Sequence, residues 1–355
     1  MNEKGFKDTQ AEIKRFNTLI AAEYRKAMDE INRDIRQVYD RIIGGRSYSE
    51  VAQLLKEQPS WLYAQANKFD RLQSLQKKIQ TEYITASIKA GNMTVEASKT
   101  AITNNFYRQQ YSIAFASDIQ LSFSVLNPKV VEVSVLGTPR VWKTLQAKVL
   151  KSIEKKYGNL TAYQAKYGGT LSSLLAKNRK VDIAKLQSAL NQGLIQGKSY
   201  TKTVKDIKTV LKGSTYQAMR VVRTESNRNM NAGAYAAHNV ALSEGLELTR
   251  VILATLDSRT REQSQRVDDM QEDENGMFHY PGGVLVEFPG NTGNPAWDIN
   301  DRETVIETLE GERPEQRTGR NPLTGESEIM NYTDYDNWMS NNGMTQNGTG
   351  RWMIK

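Results

Sequence analysis

The sequence predicts a mainly α-helical fold: long N-terminal helices, a helical body, a small α+β C-terminal module and an irregular tail. Apolar residues recur at a helical period over long stretches before residue 245. A run rich in β-forming residues follows at 248–256, and the chain after residue 310 is rich in Asn, Gly, Thr and Ser. Such a tail buries too little apolar surface to fold alone, so its aromatic side chains are expected to dock onto the body or onto a partner.

The first 160 residues are predicted to form a long helical arm or bundle, which is the first of three domains. Between Ile13 and Ile42, successive apolar residues are three or four positions apart. Their mean spacing of about 3.6 is the period of a straight amphipathic helix. Gly44 and Gly45 are expected to end this helix, because glycine readily adopts the left-handed conformation found after a helix C-terminus.

Three more helices are predicted next. A short helix over 48–56 precedes a break at Pro59, and a long helix runs from Trp61 to near Gly91. Thr94 is a suitable N-cap for the third of them. Four side chains are expected to face inward from that helix: Ala97, Ala101, Phe106 and Tyr111.

Residues 120–139 interrupt the helical period. Valines alternate with polar residues between Pro128 and Gly137, which predicts a single strand or an extended link at Val131, Val133 and Val135. Helical spacing returns after residue 141. The polar, glycine-bearing segment 157–170 is the expected boundary to the second domain, 161–310.

The second domain is predicted to be helical to about residue 245 and to continue as a small α+β part over 246–310, and the tail, 311–355, follows as the third. The predicted elements, in chain order, are a helix ending at Gly197, a short helix ending at Gly213, a long helix over Ser214–Gly245, a strand over 248–256, a charged helical segment over 262–271 and a short strand over 284–288.

Composition limits the classes of function. The chain contains no cysteine, which excludes disulfides, thiolate metal sites and cysteine nucleophiles. The N-terminus lacks the apolar core of a signal peptide, and no apolar run is long enough to span a bilayer. We therefore expect a soluble protein that is made in a cytoplasm and has no membrane partner.

Charge is unevenly distributed along the chain. Residues 1–250 contain 39 Lys and Arg against 21 Asp and Glu, whereas residues 251–355 contain 9 against 19. The basic excess is concentrated in 101–250, with 22 basic residues against 8 acidic ones. This pattern is typical of a surface that binds nucleic acid, and equally of a solvated helical surface that keeps a protein soluble.

The centre of the predicted long helix, 218–234, carries a polar face. Arg223, Glu225 and Arg228 lie close together there, because side chains three or four positions apart are neighbours on a helix. One interpretation is a solvated salt-bridge face, in which each pair contributes about 0.3–0.5 kcal/mol. The other is a half-buried ion-pair group that orients a second module.

More charged residues follow the predicted strand: Asp257, Arg259, Arg261, Asp301, Arg302 and Glu303. The carboxylates could bind Mg²⁺ or Ca²⁺ through oxygen, or pair with the arginines as a structural network. We favour pairing, because arginine and carboxylate alternate closely along the chain. Neither His238 nor His279 lies in a metal-binding or catalytic motif, and no phosphate-binding loop occurs. We therefore predict no catalytic residue, no metal and no cofactor.

Several motifs follow one another in a recognisable order: Arg223-Thr-Glu225 on a helix, a strand, Asp257-Ser-Arg-Thr-Arg261 and then Asn300-Asp-Arg-Glu303. This order resembles the phage Mu F-like family of minor head, or head morphogenesis, proteins, which includes the SPP1-type head protein. The similarity spans about 181–305. The helix motif and the Asp257–Arg261 motif at this distance carry most of its specificity.

The chain departs from the family pattern at three positions. Ser264 stands where family members commonly carry a histidine, and Asp301 and Glu303 stand where they often carry cysteines. A soft metal could not be held in the same way here, so an oxygen-only site or ion pairing would have to replace it.

The resemblance implies a minor capsid protein of a tailed bacteriophage, located in the phage head at the portal vertex and synthesised in the bacterial host cytoplasm. Its implied partners are the phage portal protein, the major capsid protein or scaffold, and double-stranded DNA bound without sequence specificity. We predict a structural protein and not an enzyme, with an ion-pair framework made of Arg223, Glu225, Arg228, Asp257, Arg259, Arg261, Asp301, Arg302 and Glu303.

Two alternatives stay open at this point. The first is an enzyme, a metal-dependent nuclease or an injected phage effector, acting through Glu225, Asp257, Asp301 and Glu303. The second is a scaffolding or ejection protein that is released from the head.

Overall fold

The computed structural model describes residues 3–117, 125–126, 128–136, 171–309, 312–322, 324–346 and 352–354. These residues are mainly helical, and their strands form small antiparallel pairs towards the C-terminus, which confirms the predicted fold class. The helical stretch predicted after residue 141 and the boundary predicted at 157–170 lie outside the described residues. Of the helices that are described, none combines the length and the apolar character needed to cross a membrane.

Backbone contacts divide the chain into two compact units. Unit 1 comprises Met1–Ile13, Glu96–Thr170 and Arg223–Lys355, and unit 2 comprises Lys14–Val95 and Leu171–Val222. Each unit is assembled from segments that are far apart in sequence. The three predicted domains follow chain order, and their boundaries stay a prediction.

Four helices open the described chain: α1 (Glu3–Ile43), α2 (Tyr48–Glu57), α3 (Trp61–Asn67) and, after a single 3₁₀ turn, α4 (Arg71–Ser117). The predicted end of α1 is confirmed, because Gly44 and Gly45 both adopt positive φ angles, of 59° and 79°. Ser47 begins α2 with a capping box, in which its side chain accepts from the Glu50 backbone and the Glu50 carboxylate accepts from the Ser47 backbone.

The predicted helix break between Gly91 and Thr94 is wrong, because α4 continues through both residues. Thr94 is no N-cap: its buried hydroxyl donates to the Ala90 carbonyl, 2.9 Å away, inside the helix. An internal glycine costs a helix only about 1 kcal/mol, which burial of the surrounding side chains offsets. On this helix Ala97, Ala101 and Phe106 are buried as predicted, whereas Tyr111 is 65% exposed.

Val131, Val133 and Val135 lie on a helix, α5 (Pro128–Leu136), and the predicted strand or extended link is wrong. Proline is favourable at the first position of a helix, where its missing N–H is not needed. Val130 and Val131 pack against a buried cluster of Phe106, Leu126 and Ala237 in unit 1. Tertiary packing therefore overrides the alternation of the valines.

Two helices follow, α6 (Leu171–Ile195) and α7 (Tyr200–Ser243). Gly197 follows the end of α6 as predicted, and its φ is 61°. The predicted stop at Gly213 is wrong, because α7 runs through it for 44 residues. Thr215 donates to the Leu211 carbonyl at 2.8 Å, so the helical side-chain spacing continues across the glycine.

The small α+β part belongs to unit 1. Its elements are β1 (Leu248–Ala254), α8 (Glu262–Gln265), β2 (Phe278–Tyr280), β3 (Val284–Val286), α9 (Pro295–Asp298) and β4 (Glu303–Leu309). β1 pairs antiparallel with β4, so Ala254 lies opposite Glu303 and Leu248 opposite Leu309. The charged helical segment predicted over 262–271 is helical for only four residues. The core of the small α+β part contains Ile252, Val267, Phe278, Tyr280, Val286 and Val305.

The tail contains more regular structure than the sequence predicts. Its elements are β5 (Gln316–Arg320), β6 (Ser327–Asn331), α10 (Tyr335–Asn341), β7 (Met344–Gln346) and β8 (Trp352–Ile354). β5 pairs with β6, and β7 with β8. Tyr335, Trp338, Met339 and Met344 form one buried cluster with Leu256, which follows β1. The tail therefore docks onto the body of its own chain.

Candidate functional site

The polar stretch of α7 in unit 1 carries buried amide side chains. Asn227 and Asn231 are each at most 1% exposed. Both side-chain amides donate to the main-chain carbonyl of Glu303, at 3.3 Å and 3.1 Å, and Asn231 also donates to the Pro289 carbonyl at 3.2 Å. Buried amides need such partners. The start of β4 is therefore held against α7 by hydrogen bonds and not by charge.

A backbone-to-backbone approach accompanies these bonds. A Cβ placed on Gly233 of α7 would lie 2.4 Å from the Ile102 carbonyl oxygen and 3.0 Å from the Phe106 nitrogen, both on α4. Only glycine fits at that separation. Asn105 reinforces the contact, because its side-chain amide donates to the Met230 carbonyl at 2.6 Å.

Glu225 and Arg228 form the half-buried ion pair that one interpretation of the sequence predicted. Their closest atoms are 2.6 Å apart, and the side chains are only 16% and 17% exposed. The same guanidinium donates to the Ser134 carbonyl at 2.6 Å, at the end of α5. Asn229 accepts from the Ser134 hydroxyl at 2.6 Å. This part of α7 therefore holds α5 in place.

Arg223 lies apart from that pair. Its side chain is exposed and donates to the Asn300 side-chain oxygen at 3.1 Å. The Asn300 backbone in turn donates to the Thr224 hydroxyl at 3.2 Å. Asn300 has a φ of 57°, a left-handed conformation that asparagine tolerates better than most residues. Arg223 thus fixes the turn before β4.

Asp257 is the centre of a group of arginines. Its side chain is 1% exposed and lies 2.7 Å from Arg259, 3.1 Å from Arg302 and 3.7 Å from Arg320. Burial alone would raise the pKa of Asp257, but the hydrogen bonds from Arg259 and Arg302 hold that pKa well below its usual range. The carboxylate therefore joins β1, β4 and β5 as a permanent anion.

Arg261 contacts backbone rather than a carboxylate. It donates to the carbonyls of Ala296 and Trp297 at 2.9 Å and 2.7 Å, in α9. Within the described residues it forms no salt bridge. Of the nine predicted framework residues, Arg223 and Arg261 therefore act through hydrogen bonds to uncharged groups.

Asp301 and Glu303 form a buried carboxyl pair instead of ion pairs. Both are at least 96% buried, and among the described residues neither lies within salt-bridge distance of a lysine or an arginine. Tyr280 hydrogen-bonds the Glu303 carboxyl group, and the Ser264 hydroxyl lies beside it. Burial raises the pKa of Asp301 well above its usual range, and the Glu303 charge raises it further. Burial also raises the pKa of Glu303.

These three positions converge in space. Ser264 and Asp301, two of the three positions at which the sequence departs from the resembled pattern, both lie next to the side chain of the third, Glu303. Two carboxyl groups at one buried site favour sharing a proton over carrying two charges. No group of three His, Asp or Glu residues in the described part of the chain could hold a metal ion.

Sequence analysis missed Arg250 in β1, which is 1% exposed and the most buried cation among the described residues. Its guanidinium lies 2.6 Å from the Glu272 carboxylate and donates at 2.7 Å to the carbonyls of Glu287 and Gly276. His238 of α7 joins the same region, 2.7 Å from the Glu307 carboxylate on β4. A charged residue inside an apolar strand needs a buried partner, and that rule was the available signal.

A second missed ion pair joins the tail to the module. Asp268 and Arg317 are 1% and 3% exposed and lie 2.6 Å apart. Arg317 also donates to the Thr333 carbonyl at 2.8 Å, and Asp268 accepts from the Tyr335 backbone at 2.7 Å. The two residues are 49 positions apart, so no spacing rule links them. A buried arginine fork of this kind fixes orientation even where its net stabilisation is small.

The chain matches one family model and two curated proteins. Residues 184–283 match the family described as Phage Mu protein F like protein. The chain is 25% identical over 339 residues to the minor head protein GP7 of Bacillus phage SPP1, covering 93% of this chain and 96% of that protein. It is 26% identical over 253 residues to the NAD(+)–arginine ADP-ribosyltransferase EFV of Enterococcus faecalis, covering 64% of this chain. No solved structure matches.

These matches confirm the predicted resemblance to the phage Mu F-like family. The matched region contains Arg223, Glu225, Arg228 and the Asp257–Arg261 motif, and it ends before Asp301. The chain spans about half the length, 51%, of the ADP-ribosyltransferase.

Proposed function

We propose that this chain, whose residues 184–283 match the phage Mu F-like family, is a structural minor head protein of a tailed bacteriophage. The observation that carries the proposal is the match to a minor head protein over 93% of this chain and 96% of that relative. The match covers nearly all of both proteins. It therefore relates the N-terminal helices and the tail to the head protein, in addition to residues 184–283.

The chain is a structural protein and not an enzyme. Its match to the ADP-ribosyltransferase covers 51% of that enzyme, against 96% of the head protein, so the assignment follows the head protein. The nuclease alternative required Glu225, Asp257, Asp301 and Glu303 to act together. Glu225 and Asp257 are each neutralised by arginines, which leaves them poorly suited to bind a cation.

The nine charged residues serve as a framework in this proposal. Glu225–Arg228 and the Asp257 arginine group supply ion pairs, Arg223 and Arg261 bind backbone and amide oxygens, and Asp301 with Glu303 forms a buried carboxyl pair. These contacts, with the Asn227 and Asn231 amides, support a role in holding the small α+β part rigidly on α7. A rigid module suits a protein that must keep fixed contacts in a particle.

Within the head, the protein is proposed to lie at the portal vertex, with the portal protein, the major capsid protein or scaffold, and packaged double-stranded DNA as partners. The protein is made in the host cytoplasm and assembles there. The basic excess of residues 101–250 supports the DNA contact, since phosphate binding is electrostatic and independent of sequence.

Proheads assembled with and without portal protein test the location. We expect the chain to co-purify with portal-containing proheads and to be depleted from portal-free particles. Asp257→Asn should weaken retention if the framework sets the contact surface, whereas Arg266→Gln, which removes an exposed ion pair of the same module, should not. Complete absence of the chain from purified virions would contradict the head assignment, and equal amounts in portal-free particles would contradict the portal location.

The ejection alternative makes a different prediction for mature particles. A fixed component stays with the emptied head after DNA release, whereas an ejected one leaves with the DNA. Quantifying the chain in heads before and after release separates the two, and we expect the amounts to be equal.

A further inference from the structure

The N-terminal half of α7, in unit 2, exposes a face that carries basic side chains and no acidic one, together with Tyr216 and the uncharged Thr201 and Thr209. We call this face the α7 stripe; its exposed members are Lys202, Lys205, Lys208, Lys212, Tyr216 and Arg220. At 3.6 residues per turn they fall within an arc of about 120°. Thr203, Ile207 and Leu211 are buried and point away from this arc. The stripe is therefore the solvent side of an amphipathic helix.

The segment of unit 2 that contains the stripe, residues 171–222, supplies no carboxylate that pairs with it. Residues 171–222 contain ten Lys and Arg but only two acidic residues, Asp182 and Asp206. Asp182 is buried and accepts from the hydroxyls of Tyr83 and Ser214 at 2.8 Å and 2.7 Å. Asp206 is bound by Lys198 at 2.7 Å. Both acids thus have other partners, although Asp206 lies on α7 one turn after Lys202.

Three basic residues elsewhere in unit 2 are paired with carboxylates. Lys78 lies 2.9 Å from Asp34, Lys89 lies 2.8 Å from Glu23, and Arg33 lies 3.1 Å from Glu30. By contrast, no stripe cation lies within salt-bridge distance of a carboxylate in the described part of the chain. An ordinary solvated helix surface mixes both signs of charge, and this stripe does not.

An aromatic ring lies in the middle of the stripe. Tyr216 is 61% exposed, and the Lys212 ammonium lies 5.8 Å from the centre of its ring. This cation–π contact orients the lysine along the stripe. The phenol hydroxyl adds an uncharged donor, and hydroxyl and ammonium donors together are what phosphate oxygens accept from.

We propose that the α7 stripe is the surface that binds the phosphate backbone of double-stranded DNA. This inference rests on the proposed head function and names the surface for its DNA contact. From Lys202 to Arg220 the helix rises about 27 Å, which matches about eight base pairs of duplex at 3.4 Å each. Five cations over that length suit a sequence-independent contact with one backbone.

The test compares two triple variants of the full chain by fluorescence anisotropy with a labelled 20-base-pair duplex. Lys205→Gln, Lys212→Gln and Arg220→Gln remove stripe charges; the control, Arg33→Gln, Lys78→Gln and Lys89→Gln, removes three paired charges of the same unit. Each phosphate contact contributes about 0.9 to the slope of log affinity against log salt. We expect the stripe variant to lower that slope by about 2.7 and the control to leave it nearly unchanged. Lys205→Arg with Lys212→Arg keeps the charges and should keep the slope.

Three outcomes would overturn the proposal: no binding by the unmodified chain, equal losses in both triple variants, or loss of the stripe variant from proheads with its DNA affinity intact. The last would make the stripe a protein interface. Incorporation of the unmodified chain into proheads is measured separately. A chain that binds DNA but is not incorporated would refute the head function and leave the DNA-binding result unchanged.

Discussion

Asp257 and Asp301 are both buried aspartates in the same module, but their surroundings shift the two pKa values in opposite directions. Asp257 lies among Arg259, Arg302 and Arg320. Asp301 faces the carboxyl group of Glu303 and accepts from its backbone N–H at 2.9 Å. Arginine donors favour the ionised form of a carboxyl group, whereas burial beside a second carboxyl group favours the protonated form.

Asp257→Asn is expected to destabilise the protein most at neutral pH. The folded-state pKa of Asp257 lies below the ordinary aspartate value of 3.8, so its ionised form stabilises the fold above that pH and the contribution is lost as the pH falls. We expect the free energy of unfolding to drop by about 2 kcal/mol at pH 7, the size of a hydrogen-bonded charge pair, and by less at pH 3. Urea denaturation at both pH values measures it, with Arg266→Gln as the exposed-pair control.

Asp301→Asn is expected to show the opposite pH dependence. The folded-state pKa of Asp301 is raised above 3.8, so its contribution to stability is fully present below that pH and is lost as the pH rises through the folded-state value. Asparagine keeps the size and cannot ionise. Relative to the unmodified chain, the variant should therefore become steadily more stable from pH 4 to pH 8 in urea denaturation. Parallel pH profiles for the two aspartate variants would show that the carboxyl pair does not share a proton.

Sequence spacing predicts contacts at this scale only where the partners are close along the chain. Glu225–Arg228 and Asp257–Arg259 are three and two positions apart, and both pairs form. Arg302 reaches Asp257 across 45 positions, because the β1–β4 register places the two strand ends side by side. That register depends on tertiary packing, so the sequence could not reveal that Asp301 lies beside Glu303, with no arginine of the described residues within salt-bridge distance of either.

At the scale of elements, glycine marks a helix end only where the backbone adopts a positive φ. Gly44, Gly45 and Gly197 do so and follow helices, as predicted. Gly91 and Gly213 do not, and helices run through them. The residue type is the same in both situations, so packing of the neighbouring side chains decides. The same limit applies to α5, where the valine pattern suits a strand or a helix equally and the packing of Val130 and Val131 against Phe106 and Ala237 favours the helix.

Two glycines of α7 give a matched experiment on helix packing. A Cβ at Gly233 would lie 2.4 Å from the Ile102 carbonyl, whereas a Cβ at Gly213 meets nothing within 4 Å. We expect Gly233→Ala to lower the thermal midpoint, because two helix backbones would have to separate. Gly213→Ala should raise the free energy of unfolding by about 1 kcal/mol through helix propensity alone. Equal responses of the two variants in thermal denaturation would argue against the close approach of α7 and α4.

At the scale of the whole chain, the acidic C-terminal third and its tail form one continuous module in unit 1. Composition alone predicted a tail that needs a docking surface, and Leu256 with the Asp268–Arg317 pair supplies it within the same chain. The regular strands and α10 escaped sequence analysis, because their stability comes from contacts with distant residues and not from local pattern.

Trp338→Ala is expected to release the tail while leaving the remainder of the module folded. Trp338 is 1% exposed and packs with Tyr335, Met339 and Leu256. Replacing a buried tryptophan by alanine costs about 3–5 kcal/mol. We expect this cost to exceed the free energy that holds the short tail segment against the module. Hydrogen exchange followed by mass spectrometry should show lost protection over 327–346, with α7 protected as before. Retained protection in the tail would mean that its hairpins hold independently of the cluster.

The discontinuous make-up of the two units sets an order of events during synthesis. Unit 2 ends at Val222, so all of its residues are available while the ribosome is still making unit 1. Unit 1 combines Met1–Ile13 with Arg223–Lys355, so its N-terminal segment must wait until its C-terminal segment has been made. At about 5–20 residues per second that wait after Val222 is on the order of ten seconds. Unit 2 therefore matures first, and the α+β module is the late step on which completion of the folded chain depends.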